Sequence, residues 1–563
     1  RSFQNYLALI KTDLAKLEET EERKRQLLEE AVSDMEKCLK ICAKYLQTIA
    51  VSPLPTNFAY LGWYHNWFSE ILDQLYSLTN DEKVISRNIE ACQSAAQVNQ
   101  QAGMPSRVAE AHWKAARLFN QQGEYIKAAD NFELASKNYQ PVAQKIPQLK
   151  DFCQNQALYM QAWSEIEKGK HHHERQEYGS AKEHFEKAAN IHQSLKQWSY
   201  LAPNYWAWTQ VENAEDLSRR EQSEEAIRAF EQAAKLFTET KESLQKELNK
   251  IENLDEQQMV SSIVKATDLR REYCTARITL EEAKILDKKG DHYRSSEKYH
   301  TAADAFEKIT QTIDSPHDQK EFRLITTLSR AWQKMTQAEA ETSPTLYVDA
   351  AQLFEEAKGL SPNEKAKTLA LGHSRFCRAL EAGTKFADTG DPTLHTIATQ
   401  QLESAAKYYV KAGFQNASEY AKATELLFDA YVHMDNAKKE TDPEKKAKLY
   451  TVTEKVLQTS AGSFMKAEHP EKREQVLRLL EKVKEERELA LSITEVLHAP
   501  TIISTTTAFS TPTPTHESAV GLERFEHADI QANIITRQTE LRVGENLDLE
   551  IEFVNAGKGP AIL

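Results

Sequence analysis

Apolar residues recur along this chain at steps of three and four, the period of an α-helix, from residue 3 to about residue 497. Residues 3–49 read as one long helix. Leu7, Ile10, Leu14 and Leu17, then Leu27, Leu28, Val32, Met35, Leu39 and Cys42, form its apolar stripe. The stretch Glu18–Arg25 between them is almost wholly charged, so it should be solvated. Pro53 and Pro55 end the helix, because proline lacks an amide donor and pushes its predecessor out of the α region. The next helix carries Phe58, Leu61, Trp63, Tyr64, Trp67, Phe68, Ile71, Leu72 and Leu75. It is apolar nearly all round, which predicts a buried or interface helix.

A repeated signal begins near residue 105. A small residue, a ring four positions on and a second small residue three further appear as Ala128-Phe132-Ala135, Ala181-Phe185-Ala188 and Ala226-Phe230-Ala233. The pattern continues as Ser295-Tyr299-Ala302 and Ala350-Phe354-Ala357, and weakens to Ala398-Leu402-Ala405. Offsets of four and three place all three side chains on one helical stripe. A helix should precede each stripe, with the turn at Gly123-Glu124-Tyr125 in the first unit and Gly290-Asp291 in the fourth. In the other units Gln176, Glu221, Thr345 and Thr393 stand where the turn glycine is expected. Pro105, Pro141, Pro147, Pro203, Pro316, Pro344, Pro362, Pro392 and Pro443 fall between the helical runs and support the segmentation. A seam through Leu244, Leu248, Ile251 and Leu254 extends one helix over Thr238–Asn253. Residues 444–497 supply two more helices, the last capping the array.

Twelve of the eighteen residues from Ala499 to His516 are Thr, Ser or Pro, the composition of an extended linker. After it the period changes to two. Ile530, Ala532 and Ile534, then Leu547, Leu549, Ile551 and Phe553, alternate with polar residues around a turn at Gly544-Glu545-Asn546. The expected organisation is N-terminal long helices over 1–104, helical repeats over 105–460, a capping helix over 461–498, a linker over 499–520 and a β segment over 521–563.

The stripe of the first unit resembles the tetratricopeptide repeat: Ala116, Phe119, Gly123, Tyr125, Ala128, Phe132 and Ala135 keep that family's spacing. The unit rings stand 53, 45, 69, 55 and 48 residues apart, well beyond the family's usual period of about 34. Repeats with such long helices resemble the soluble NSF attachment protein type of array. The stretch Val543–Ala561 resembles the opening of an immunoglobulin-like domain of the CARDB kind, and the chain is expected to stop inside that domain. Together these resemblances imply a mainly α fold, a right-handed α-helical repeat solenoid, followed by a truncated all-β immunoglobulin-like segment.

Composition agrees. Only 16 Gly and 16 Pro occur in 563 residues, too few turn residues for a sandwich or barrel over most of the length. Net charge is −14 with no basic run, which argues against nucleic acid as a partner. Residues 45–69 carry no charge, yet Pro53, Pro55, Asn57, Gly62 and Asn66 break the run, so no membrane insertion is expected. Six scattered cysteines suggest reduced thiols and a cytoplasmic protein.

No nucleophile elbow, phosphate-binding loop, dinucleotide fingerprint or zincin motif is present in the sequence, so no enzyme activity and no cofactor are expected. His171-His172-His173, with His184 and His192, invites a metal reading. Consecutive helical residues point about 100° apart, and His173 with Glu177 supplies only two ligands, so a solvated helix end is expected instead. Cys38 and Cys42, one turn apart, read as core.

The tryptophans are more informative. Counted back from Ala128, Ala181, Ala226 and Ala350, Trp113, Trp163, Trp208 and Trp332 take positions that face the concave groove of such repeats. Arg117, Lys170, Glu110 and Glu215 share that face, which gives it mixed charge. The other reading is that these rings fill gaps between helices. The family's basic clamp for C-terminal carboxylates is not reproduced by Arg117, Asn120 and Lys170. The cluster Trp198-Tyr200-Pro203-Tyr205-Trp206-Trp208 reads as a packing hub where one unit passes to the next. The expected function is a non-enzymatic scaffold or adaptor holding a partner protein or peptide in the groove. The alternative is the sensor or regulatory arm of a larger signalling protein.

Overall fold

The computed structural model describes residues 2–48, 55–313, 315–361 and 363–498, and the backbone of 530–536 and 549–555. Nineteen α-helices lie among the described residues, and the chain divides into two compact units, 1–275 and 276–563. The first holds α1 (Ser2–Leu17), α2 (Glu21–Thr48), α3 (Pro55–Thr79), α4 (Glu82–Gln101), α5 (Pro105–Gln121), α6 (Tyr125–Lys145), α7 (Lys150–Glu174), α8 (Tyr178–Ser194), α9 (Ala202–Arg219), α10 (Ser223–Leu248) and most of α11 (Leu254–Lys288). The second continues with α12 (His292–Thr312), α13 (Pro316–Glu341), α14 (Pro344–Leu360), α15 (Glu364–Thr389), α16 (Pro392–Ala412), α17 (Gln415–Lys439), α18 (Pro443–Lys466) and α19 (Pro470–His498). The helices from α1 to α10 and from α12 to α19 pack chiefly on their neighbours in sequence, the architecture of a helical repeat.

The repeat stripe is the spine of both units. All eighteen residues of the six small–ring–small triplets are buried, the rings at 0–4 % exposure. A second ring position lies seven residues after the first: Tyr139, His192, Phe237, Phe306 and Tyr409 are all buried, and Ser361 takes the place in the fifth unit. The two positions lie two helical turns apart on one face, so the second helices of the first four units each present two rings to the helices on either side. Glycine admits the first ring where helices come closest. A Cβ on Gly169 of α7 would lie 2.9 Å from the Phe185 ring, and one on Gly383 of α15 would lie 2.5 Å from Phe428.

The turns follow two local rules. Gly123, Gln176, Glu221 and Gly290 all adopt left-handed backbone, φ 58–75°, so the first four units share one turn whether or not glycine supplies it. In the next two units the left-handed residues are Thr342 and Gly390, not Thr345 and Thr393. Pro344 and Pro392 start α14 and α16 and fix where the helix begins, which draws the turn three positions upstream. Asp391 and Asp442 cap the helices that follow, each accepting from the backbone N–H groups of the first turn.

Several sequence expectations are corrected. Residues 3–49 are two helices, broken at Glu18–Thr20 and folded back so that the Lys11 ammonium donates to Asp34 at 2.7 Å. The buried face of α1 is Asn5, Ala8, Thr12 and Ala15, because small residues let α2 approach closely. Ile10, Leu14 and Leu17 point outward at 56, 47 and 79 % exposure. α6 runs through Pro141, placing that proline in its last turns and not between helices. α10 stops at Leu248, and Leu254 opens α11 exposed to solvent. α3 buries one face through Leu61, Phe68, Ile71, Leu72 and Leu75 and leaves the edge-to-face pair Tyr60–Trp63 exposed. The strands β1 (Ile530–Thr536) and β2 (Leu549–Asn555) pair antiparallel, with Ile534 opposite Ile551. The linker over 499–520, Pro362 and the turn Gly544–Asn546 lie outside the described residues.

Candidate functional site

In the first unit, the face formed by α5, α7, α9 and the start of α11 gathers the residues that the register singles out. Trp113, Trp163 and Trp208 are each half-buried and packed on one continuous core. Trp163 stacks on Phe132, with centroids 6.1 Å apart, and Trp208 stacks on Phe185 at 5.9 Å. Trp163 and Trp208 therefore lie against the stripe ring of the preceding repeat and also meet the next: Trp163 meets His192 and Tyr205, and Trp208 meets Phe237. In the second unit, Trp332 repeats the arrangement on Tyr299 and Phe354. Trp163, Trp208 and Trp332 are thus stacked, and each stays partly exposed. The hub between α8 and α9 is also packed, with Trp198 stacked on Tyr159 at 4.2 Å and Leu201 fully buried.

Polar bonds tie these first helices to one another. Lys170 donates to Asn120 of α5 at 3.0 Å and to Glu167 on its own helix at 2.8 Å. His173 and Glu212 join α7 to α9 at 2.7 Å, and the Tyr273 hydroxyl donates to Glu215 at 2.6 Å, joining α11 to α9. Arg270 donates to Asn204 at 2.9 Å and lies over the Trp208 and Phe237 rings, 5.2 and 5.9 Å from their centroids. Burial lowers its pKa to about 10, an unusual setting for a guanidinium. Burial pushes the Glu167 carboxyl up, against the pull of Lys170. Arg117 and Glu110 stay exposed, Glu110 paired with Arg107 at 2.7 Å.

A repeat signal missed in the sequence lies beneath this polar row. Glu167 and Glu212 both stand fourteen positions ahead of the first small residue of their unit, and both are fully buried. Glu281 holds the same position in the second unit, also fully buried, and accepts from Lys284 at 2.7 Å. Buried carboxylates are costly unless paired, so a basic partner within reach is required. Counting acidic residues at fixed distance from the stripe would have found them.

The histidine run is not a solvated end. His172 binds Glu177, His173 binds Glu212 and His184 binds Glu165, each through Nδ1 at 2.7 Å, so it is His172 and not His173 that reaches Glu177. Three separate carboxylates thus bind three histidines, of which His172 and His184 stack with centroids 5.2 Å apart. His192 is fully buried among Tyr159, Trp163 and Tyr205, and neither ring nitrogen has a hydrogen-bond partner. Burial depresses its pKa to about 3. All six cysteines are buried, and burial pushes Cys92 up to about 11. Among the described residues no helix is long and apolar enough to cross a membrane.

No protein-family model matches the chain, and no curated protein is significantly similar to it. Among solved structures, one described as a circular tandem repeat protein with novel repeat topology and enhanced subunit contact surfaces matches over 88 % of this chain and 97 % of that one. At 11 % identity and a TM-score of 0.16, that likeness carries no argument about how this chain folds or acts.

Proposed function

We propose that this chain is a non-enzymatic scaffold that binds a partner protein or peptide on the face of its first helices, in a right-handed array of the tetratricopeptide or soluble NSF attachment protein kind. The observation that carries this reading is the row of cross-helix bonds through Lys170, His173, Glu212, Glu215 and Tyr273. Those bonds hold the partly exposed Lys170, His173 and Tyr273 in place before any partner arrives, which lowers the ordering cost of association. The partly exposed Trp113, Trp163 and Trp208, and the exposed Arg117, supply apolar and cationic contact points of the kind enriched at interfaces. The β1–β2 pair belongs, on this reading, to an immunoglobulin-like domain of the CARDB kind.

A photo-crosslinking residue placed at Arg117 or Lys170 should capture the partner, while one at Glu186 or Arg228, exposed on the second helices, should not. Capture from the second-helix positions alone would overturn the assignment of the binding face.

A further inference from the structure

Outside the stacked face, three liganding side chains from three helices meet in the second unit. Asp287 lies in the last turn of α11, His292 is the first residue of α12, and Glu339 lies near the end of α13. His292 Nδ1 is 2.9 Å from Asp287 Oδ1 and 3.0 Å from Glu339 Oε2, and the three ligand atoms all lie within 4.8 Å of one another. The three side chains are only 29, 14 and 10 % exposed, in chain order.

As a purely protein arrangement the cluster is imperfect. One imidazole nitrogen carries at most one proton, and here that nitrogen faces two carboxylates. A small divalent ion bonds to nitrogen and oxygen at about 2.0–2.2 Å, which puts neighbouring donors about 3 Å apart, close to the edges seen here. A second observation points the same way. The Tyr347 hydroxyl, fully buried and near enough for the charges of Glu339 and Asp287 to act on it, has no hydrogen-bond partner. An ion with three protein ligands keeps an open position for water, and bound water is the kind of partner an orphaned hydroxyl lacks. A competing cation is Lys472 of α19, whose charge acts on His292.

We propose that Asp287, His292 and Glu339 form a binding site for a divalent transition-metal ion of the size of Zn²⁺, which clamps α11, α12 and α13 together. One imidazole and two carboxylates without a thiolate suit a borderline ion such as Zn²⁺ better than Cu⁺, and the nitrogen donor disfavours Ca²⁺ and Mg²⁺. Binding displaces any proton on His292 Nδ1. The clamp is structural and is independent of the partner-binding face.

The test is calorimetric titration of the full chain, stripped with chelator, using Zn²⁺ alone. One ion per chain should bind at micromolar Kd or tighter and raise the melting temperature. Asp287→Asn, His292→Asn and Glu339→Gln should each weaken binding at least tenfold and abolish the thermal shift, with circular dichroism checking that each variant keeps its helix content. The triple variant His171→Asn/His172→Asn/His173→Asn should bind as the parent does. Absence of binding at 100-fold protein excess over a micromolar Kd, retained affinity in all three ligand variants, or loss only in the histidine-run variant would overturn the site. Ca²⁺ binding as tight as Zn²⁺ would overturn the choice of ion.

Discussion

Residues 192 and 409 hold the same place in the repeat, seven positions after the stripe residue, one in each unit. Both are buried among aromatic rings, but their polar atoms meet different ends. The Tyr409 hydroxyl is 2.9 Å from Nδ1 of His373, which packs in turn against Trp332 and Phe354. His192 has the rings without the partner. Five of the six units thus place an aromatic ring at this position and leave its chemistry to the neighbouring helix. Where that helix supplies a polar group the site is satisfied, and where it does not, a buried imidazole carries a desolvation cost with no hydrogen bond to offset it.

The comparison breaks most severely if the shared stripe is not what sets the shape. Phe185→Ala and Phe354→Ala should each destabilise their unit by about 3–5 kcal/mol, since both rings are buried and packed on a neighbouring tryptophan. Chemical denaturation followed by unit-resolved hydrogen exchange would measure this, and a loss below about 1 kcal/mol in either would show that the rings are not equivalent. Acid sharpens the contrast next. His192 titrates near 6.5 when unfolded and near 3 when folded, so between those values the unfolded chain holds the extra proton. Above pH 6.5 this linkage costs nothing, and below it the fold loses stability by roughly 1.4 kcal/mol per pH unit. Hydrogen exchange of the first unit from pH 6.5 to 4.5 should show that slope in the parent and a reduced one in His192→Phe.

Removing the partner in the second unit should cost less. His373→Leu leaves the Tyr409 hydroxyl buried and unbonded, an expected loss of about 2 kcal/mol. A neutral result would mean that water replaces the imidazole. The smallest effect is the one of opposite sign. His192→Phe matches the residue type of Phe237 and Phe306 at the same position and removes two unbonded nitrogens, so the first unit should gain about 1–2 kcal/mol at pH 7. A loss of stability there would reveal a partner for His192 in solution.

The repeat stripe was legible because its spacing is itself the helical period: Ala181, Phe185 and Ala188 must share a face in any helix. The second ring position was not, since His192 and Ser361 interrupt it and an eye trained on apolar residues discards it. α1 misled for a related reason. Leu7, Ile10, Leu14 and Leu17 outweigh Ala8 and Ala15 in hydropathy, yet the smaller residues allow the closer helix pair, and packing distance decided the buried face. The register of the tryptophans could be counted from sequence. Their stacking on Phe132, Phe185 and Tyr299 could not, because that depends on how far one hairpin is rotated against the last. Asp287, His292 and Glu339 gave no local motif at all, since they converge only after three helices have folded together.

That most helices lean chiefly on their sequence neighbours has a mechanical consequence. Tension applied to the ends of either unit would not load all of its helices at once. It would concentrate on whichever hairpin junction is weakest, and release chain in steps of one repeat. The stacked junctions of Trp163, Trp208 and Trp332, each spanning two repeats, would set where those steps pause.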